Sequence, residues 1–234
     1  MDDQPLESII EHLFDETDWL IRGKALRNLI AHGEAAVPYL ERVFELRLDP
    51  KAPVNDASGV LIRNLGAAAV PFLLTQLKSG NAAYRREAIW LLMESGNRFC
   101  TTTRLTKQVL DDRNPQLPDW AQSPDLMINR FRECLSDTDL SVRFAAASAL
   151  EEFGHDLPAT VPVFIETLLH DSRHNQNWAA LRLGRIGEPA MSACDALNTA
   201  VGSEYQYTRL AAKNALTRIR GNQESVGYIR EQPL

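Results

Sequence analysis

The chain has 234 residues, of which 44% are hydrophobic and 24% charged, a balance that supports a sizeable core and excludes a largely disordered chain. A formal net charge of -6 and a pI near 5.4 remove any whole-molecule attraction to nucleic acid or an anionic membrane. Nowhere do about 18 apolar residues run together as a membrane span requires, and Met1-Asp2-Asp3-Gln4-Pro5 carries acids where a signal peptide starts basic, so a cytoplasmic protein is expected. Cys100, Cys134 and Cys194 form no CxxC or Cys/His pattern and read as small core residues in a reducing compartment.

In chain order, residues 5 to 16 form the first amphipathic helix, with Leu6, Ile9, Ile10, Leu13 and Phe14 on one side and Glu7, Glu11, Asp15 and Glu16 outside. An internal repeat follows, starting at Asp18, Lys51, Asn81, Asp139, Ser172 and Tyr205. Four residues after each start stand Arg22, Asn55, Arg85, Arg143, Gln176 and Arg209. Three residues further come Ala25, Ser58, Ala88, Ala146, Ala179 and Ala212, then Leu29, Ile62, Leu92, Leu150, Leu183 and Leu216 one helical turn later. The fourth, eighth, twelfth and fifteenth residues of each segment, counting its start as the first, share one face of a 3.6-residue period, and the recurrent alanine implies close contact between helices. Gly33, Gly66, Gly96, Gly154 and Gly187 end the segments, with Arg220 in place of glycine in the last. Glycine there supplies the left-handed residue that stops a helix. Val37-Pro38, Val70-Pro71 and Val161-Pro162 then suit the first turn of the next helix.

The step from Asn81 to Asp139 is about one repeat too long, and it contains Pro115, Pro118 and Pro124. Residues 102 to 112 suit an extra helix there, and 113 to 123 a loop carrying Trp120, packed on its own repeat. Beyond Arg220 a polar tail without the repeat pattern is expected to be loosely held.

The unit is helix, tight turn, helix, shown most fully by Asp139 to Gly154, DLSVRFAAASALEEFG. On this motif the chain resembles the HEAT-repeat family, specifically the short HEAT-like repeats of the phycobilisome (bilin) lyases, over residues 4 to 220. The resemblance implies an all-α fold: one α-solenoid over 1–220, a right-handed superhelix of about six helix pairs with an insertion near 97–125, then a tail over 221–234. It also implies that the recurrent polar residues Asp18, Arg22, Arg85, Asp139, Arg143 and Arg209 form ladders between neighbouring repeats. A start-of-helix aspartate caps free N–H groups as well, so these residues read as structural and not as a ligand site.

Stacked helix pairs build a rod whose second helices line a concave face, the default binding surface. The seventh, tenth and fourteenth residues of each segment, counting its start as the first, should point outward from that face. They include Lys24, Arg27, Trp90, Glu94, Ala145, Ser148, Glu152, Trp178, Leu181, Arg185 and Arg218. Trp90 and Trp178 are the expected anchors for a partner protein or peptide, with Glu94, Glu152, Leu181, Arg185 and Arg27 beside them. Charge is uneven along the repeats. Glu94, Glu151 and Glu152 stand in the middle, whereas Arg182, Arg185, Arg209, Lys213, Arg218 and Arg220 gather toward the carboxyl end.

Three kinds of enzyme share this repeat type. Deoxyhypusine hydroxylases hold two irons with His-Glu dipeptides; this chain has no such dipeptide, and His12, His32, His155, His170 and His174 are scattered. HEAT-like DNA glycosylases use aromatic residues and a carboxylate in a basic groove, which the acidic composition opposes. Bilin lyase subunits match the repeat type best, although no local pattern identifies a tetrapyrrole pocket. The sequence therefore points to a non-catalytic scaffold or adaptor without catalytic residues, cofactor or metal.

Overall fold

The computed structural model describes residues 5–15, 18–49, 57–94 and 124–230, and helices are the only regular structure among them. The expected start at Lys51, the helix over 102–112 and the Trp120 loop lie outside the described residues. Two compact units are present, residues 1–127 and 128–234. Both are stacks of paired helices, so the fold is an all-α helical repeat of the solenoid class.

In the first unit α1 (Leu6–Leu13) packs on α2 (Trp19–His32), and α2 in turn packs on α4 (Ala57–Leu65). Between α2 and α4 the chain passes through a 3-10 segment (Gly33–Tyr39) and α3 (Leu40–Leu48). After α4 come a second 3-10 segment (Gly66–Ala69), α5 (Val70–Gln76) and α6, residues 82–94. Ile9, Ile10 and Leu13 of α1 are buried, as are Leu29 of α2, Leu40, Val43 and Phe44 of α3, and Leu91 and Leu92 of α6. Phe44 meets Phe72 and Tyr84 edge to face, at centroid distances of 5.6 and 5.5 Å.

The second unit takes in α7 (Pro124–Cys134) from Ile128 onward, then α8 (Leu140–Glu152), α9 (Leu157–His170) and α10 (Arg173–Ile186). A 3-10 segment (Glu188–Ala193) leads into α11 (Cys194–Val201) and α12 (Gln206–Arg230). Here α9 packs on both α8 and α10, and α12 packs on α10 and α11. Phe131 of α7 stacks on Phe153 at 6.3 Å, and Phe144 meets Phe164 edge to face.

Gly33, Gly66, Gly154 and Gly187 all have positive φ, which explains why glycine recurs where a helix must stop and turn. Where Arg220 replaces that glycine, α12 does not stop: it runs on to Arg230, so the segment expected to be loosely held is helical through that residue. Pro71 lies in the first turn of α5, as its spacing suggested. Pro38 instead sits within the 3-10 segment before α3, and Pro162 sits inside α9, whose first turn is taken by Pro158.

The helix starts are capped as their residue types require. Asp18 accepts the N–H of Leu20 (2.7 Å), Asn81 that of Ala83 (2.9 Å) and Ser172 that of Asn175 (3.4 Å). Asp139 accepts from the Ser141 N–H at 2.8 Å, the Val142 N–H at 3.2 Å and the Ser141 hydroxyl at 2.5 Å. The recurrent arginines reach backward into the turn that precedes their own helix. Arg22 donates to the carbonyl of Asp15 (2.5 Å), Arg85 to that of Ser79 (2.8 Å), and Arg143 to those of Asp137 (2.7 Å) and Thr138 (3.2 Å). Arg209 does the same with Ser203 and Glu204, both at 2.8 Å, and Gln176 substitutes with a 3.1 Å bond to Asp171. Each satisfies a carbonyl that the preceding helix leaves without an intrahelical donor, and so ties one helix's exit to the next helix's entry.

Close approach is most demanding between α10 and α12. A Cβ added at Gly184 would lie 2.9 Å from Ala215 Cα and 3.1 Å from Ala215 Cβ. The flank of α10 that admits α12 is therefore made of Ala180 and Gly184. The corresponding flank of α12 carries Lys213, Thr217 and Arg220, all exposed.

Two outcomes test this packing. Gly184→Ala should lower the urea midpoint by the equivalent of about 1–3 kcal/mol of overpacking, despite the roughly 1 kcal/mol that alanine gains over glycine in a helix. An unchanged midpoint would contradict the contact with Ala215. For Asp139, the Ser141 hydroxyl holds the carboxyl below the usual carboxylate range; the N–H groups of Val142 and Ser141 add to this, while partial burial and Asp137 oppose it. A lowered folded-state value means stabilisation that is complete above the unfolded value, about 3.9, and is lost as pH falls through the folded value. Asp139→Ala should therefore cost about 1 kcal/mol at neutral pH, and the gap between wild type and variant should narrow in acid urea titrations.

Candidate functional site

Of the proposed anchors, Arg27 is exposed on α2, while Trp90 is half-buried and Glu94 exposed on α6, all in the first unit. Glu94 is held by Arg63 at 2.7 Å. In the second unit Trp178, Leu181 and Arg185 form one exposed row along α10, with Glu152 of α8 joined to Arg185 at 3.0 Å. The spacing argument thus identified the open side of α10. It failed on α8, where Ala145 and Ser148 are buried rather than outward. That helix is buried on almost every side from Val142 to Glu151, because its alanines are too short to clear their neighbours, and Arg182 lies across the Ser148 carbonyl at 3.3 Å.

The Trp178 ring is 44% exposed and Leu181 38% exposed. The indole Nε1–H donates to His174 Nε2 at 3.0 Å, and the two rings meet edge to face at 6.1 Å. This bond requires a His174 ε nitrogen without a proton, and it fixes the ring's orientation on the open surface. Beside this row, α12 presents Tyr207 and Leu210, at 78% and 55% exposure, which the spacing argument did not select. They stand at other positions of the last repeat, and only their apolar character on an otherwise polar surface row could have marked them. The two helices are held in register at one end by Arg173 over the Tyr205 ring, 3.8 Å from its centroid, and further along by Gly184 against Ala215. With the helices so aligned, Trp178, Leu181, Tyr207 and Leu210 form neighbouring rows of exposed apolar side chains.

Charge beside these rows differs from the sequence-level picture. Arg182 is buried against the Glu151 carboxylate, their side chains being 8% and 5% exposed, and Arg185 adds a 3.1 Å contact to Glu151. Burial pulls the Arg182 guanidinium below the usual arginine range, and Glu151 opposes that pull. Two of the carboxyl-end cations are therefore neutralised by the mid-chain acids, and Arg209 is spent on turn carbonyls. Lys213, Arg218 and Arg220 of α12 remain exposed, with no ion pair among the described residues. No group of three or more His, Cys, Asp or Glu residues is placed to share a metal ion among the described residues. Nor is any helix among them long and apolar enough to cross a membrane.

The fold defines the class as a helical-repeat protein, and the comparisons agree for its second half. Residues 128–217 match the family model of HEAT repeats. No curated protein matches the chain. Among solved structures, an engineered protein is similar at 20% identity and a TM-score of 0.49, over 94% of this chain and 98% of its own. A designed armadillo repeat protein in complex with the peptide (KR)4 is similar at 14% identity and a TM-score of 0.48, over 92% of this chain and all (100%) of its own. Human deoxyhypusine hydroxylase in complex with glycerol is similar at 16% identity and a TM-score of 0.32, over 92% of this chain and 96% of its own.

The buried pair yields a sharp outcome. Glu151→Gln leaves a buried guanidinium without its main counter-charge and should cost about 3 kcal/mol of unfolding free energy. Adding Arg182→Met should restore most of that loss, because the pair's desolvation cost disappears with it. Equal stability of the single and double variants would show that Arg182 is not balanced by Glu151.

Proposed function

We propose that the chain is a non-catalytic scaffold or adaptor that takes a segment of another protein on the open face of α10 and α12. The observation that carries this reading is the exposed indole of Trp178 with Leu181 one turn away, on the row that the repeat spacing assigns to the binding side. Isolated exposed apolar residues are ordinary on soluble proteins, whereas adjacent rows ending in an oriented tryptophan are what partner surfaces present. The face is also rigid: close-packed helices carry it, so little ordering entropy is lost on binding. Trp90, Glu94 and Arg27 are proposed as further contacts on the first unit. A cytoplasmic location accords with this role.

Affinity capture from the native lysate, comparing wild type with Trp178→Ala/Leu181→Ala, tests the assignment. Both substitutions are on exposed side chains, so helicity and melting temperature should hold while the captured protein falls by about tenfold or more. Equal capture by the variant would remove this face from the function. A coloured tetrapyrrole retained by the chain would favour the bilin lyase alternative, and excision of a damaged base from a DNA duplex would favour the glycosylase alternative.

A further inference from the structure

A partner that rests on Trp178 also meets the residue that holds it. His174 stands one turn before Trp178 on α10, both side chains are exposed, and the imidazole ε nitrogen accepts the indole N–H at 3.0 Å. Among the described residues that indole is the one hydrogen-bond partner of the imidazole. An indole N–H lies in the plane of its ring, so His174 meets Trp178 at the ring's positive edge and not over its negative face. The bond exists only while the ε nitrogen carries no proton. Histidine is the side chain that changes charge between about pH 5 and 8. Protonation turns the acceptor into a second donor aimed at the indole N–H. It also puts a positive charge at the ring edge, where the attraction a cation finds over the face is absent. The two rings must then part, and the indole loses the contact that orients it.

The other charges at this end of the repeat are committed elsewhere. Ser148 with Arg182 and Glu152 with Arg185 set α8 parallel to α10, and Arg173 with Tyr205 and Gly184 with Ala215 do the same for α12. The level of His174 is therefore shared with Asp139 and Arg143 at the start of α8, with His170 and Asp171 at the end of α9, and with Glu204, Tyr205 and Arg209 at the start of α12. Asp139 accepts from its cap N–H groups and the Ser141 hydroxyl, and Arg143 is paired with Glu166. Asp171 accepts from the Ser172 N–H and the Asn175 side chain, Arg173 lies on Tyr205, and Arg209 is held by turn carbonyls. His170 and Glu204 are exposed, and Glu188 of the 3-10 segment lies at the opposite end of α10.

Resting on the scaffold reading, we infer that His174 is a pH-sensitive switch on the α10–α12 face. Neutral, it holds the Trp178 indole in the position a partner meets; protonated, it releases the ring. A partner that covers Trp178 also takes water from the neighbouring imidazole, and that loss costs far more for an imidazolium than for the neutral ring. Both effects have one sign. The partner is bound by the neutral form, so affinity is complete above the histidine range and falls as pH drops through it.

Proton NMR of the full chain between about pH 8 and pH 6, above the pI near 5.4, reads the switch without any partner. The indole N–H signal missing from Trp178→Phe identifies Trp178. On acidification that signal should move upfield and exchange faster with water. In His174→Gln, whose amide oxygen accepts the indole N–H at every pH, it should stay in place. A signal that does not move, or moves equally in His174→Gln, overturns the inference. The consequence for binding is read with histidine-free dodecapeptides selected on phage against the full chain at the upper pH and weakened by Trp178→Ala/Leu181→Ala. Lowering the pH to the bottom of that range should reduce their affinity about three- to tenfold for wild type and less than about twofold for His174→Gln. An equal loss in both, or no loss in wild type, overturns the inference as well. The scaffold reading fails separately, when lysate capture no longer depends on Trp178 and Leu181, and the indole signal then still reports whether His174 holds the ring.

Discussion

Everything in this protein depends on how closely one helix pair can approach the next. A single amphipathic pair cannot bury its own apolar face, so stability comes only from stacking. The alanine that recurs in five of the six repeats, and Gly184 against Ala215, set that distance by keeping the contact surfaces small. Given that spacing, the larger residues fill what lies between, as with Phe44 among Phe72 and Tyr84 or Phe144 on Phe164. The polar parts of the repeat then have a defined task. Aspartate, asparagine or serine closes the start of the second helix, and arginine closes the turn before it, so the pair's angle is set by hydrogen bonds while its spacing is set by packing.

That division explains what could be read from the amino acids alone. Positions whose environment is local were legible: the positive-φ glycines, the caps at Asp18 and Asp139, and the exposed row Trp178, Leu181 and Arg185. Positions whose environment is made by the next repeat were not. Ala145 and Ser148 occupy the same helical positions as outward residues elsewhere, yet α8 is covered because its neighbours close over short side chains. Tyr207 and Leu210 are exposed for the converse reason, since no helix of the described residues lies over that side of α12. Helical periodicity names a direction, and only packing decides whether that direction is filled.

Charge shows the same limit. From the sequence, a cluster of carboxyl-end arginines looked like one basic region. In the folded protein each has its own fate: Arg182 buried on Glu151, Arg185 shared between Glu151 and Glu152, Arg209 bound to carbonyls, and Arg218 and Arg220 left to solvent. Electrostatic character at a surface is what remains after such pairings, and it cannot be summed from residue counts.

The flank of α12 has an effect beyond its own repeat. Where Ala180 and Gly184 accept the neighbouring helix, Lys213, Thr217 and Arg220 offer bulk and hydration. A repeat whose last side matched its inner sides would accept the first helix of a second copy as readily as its own successor. Such head-to-tail contacts run on as filaments unless their rotation closes a ring. Lys213, Thr217 and Arg220 thus make this flank of α12 a poorer seat for a further helix than the flank formed by Ala180 and Gly184.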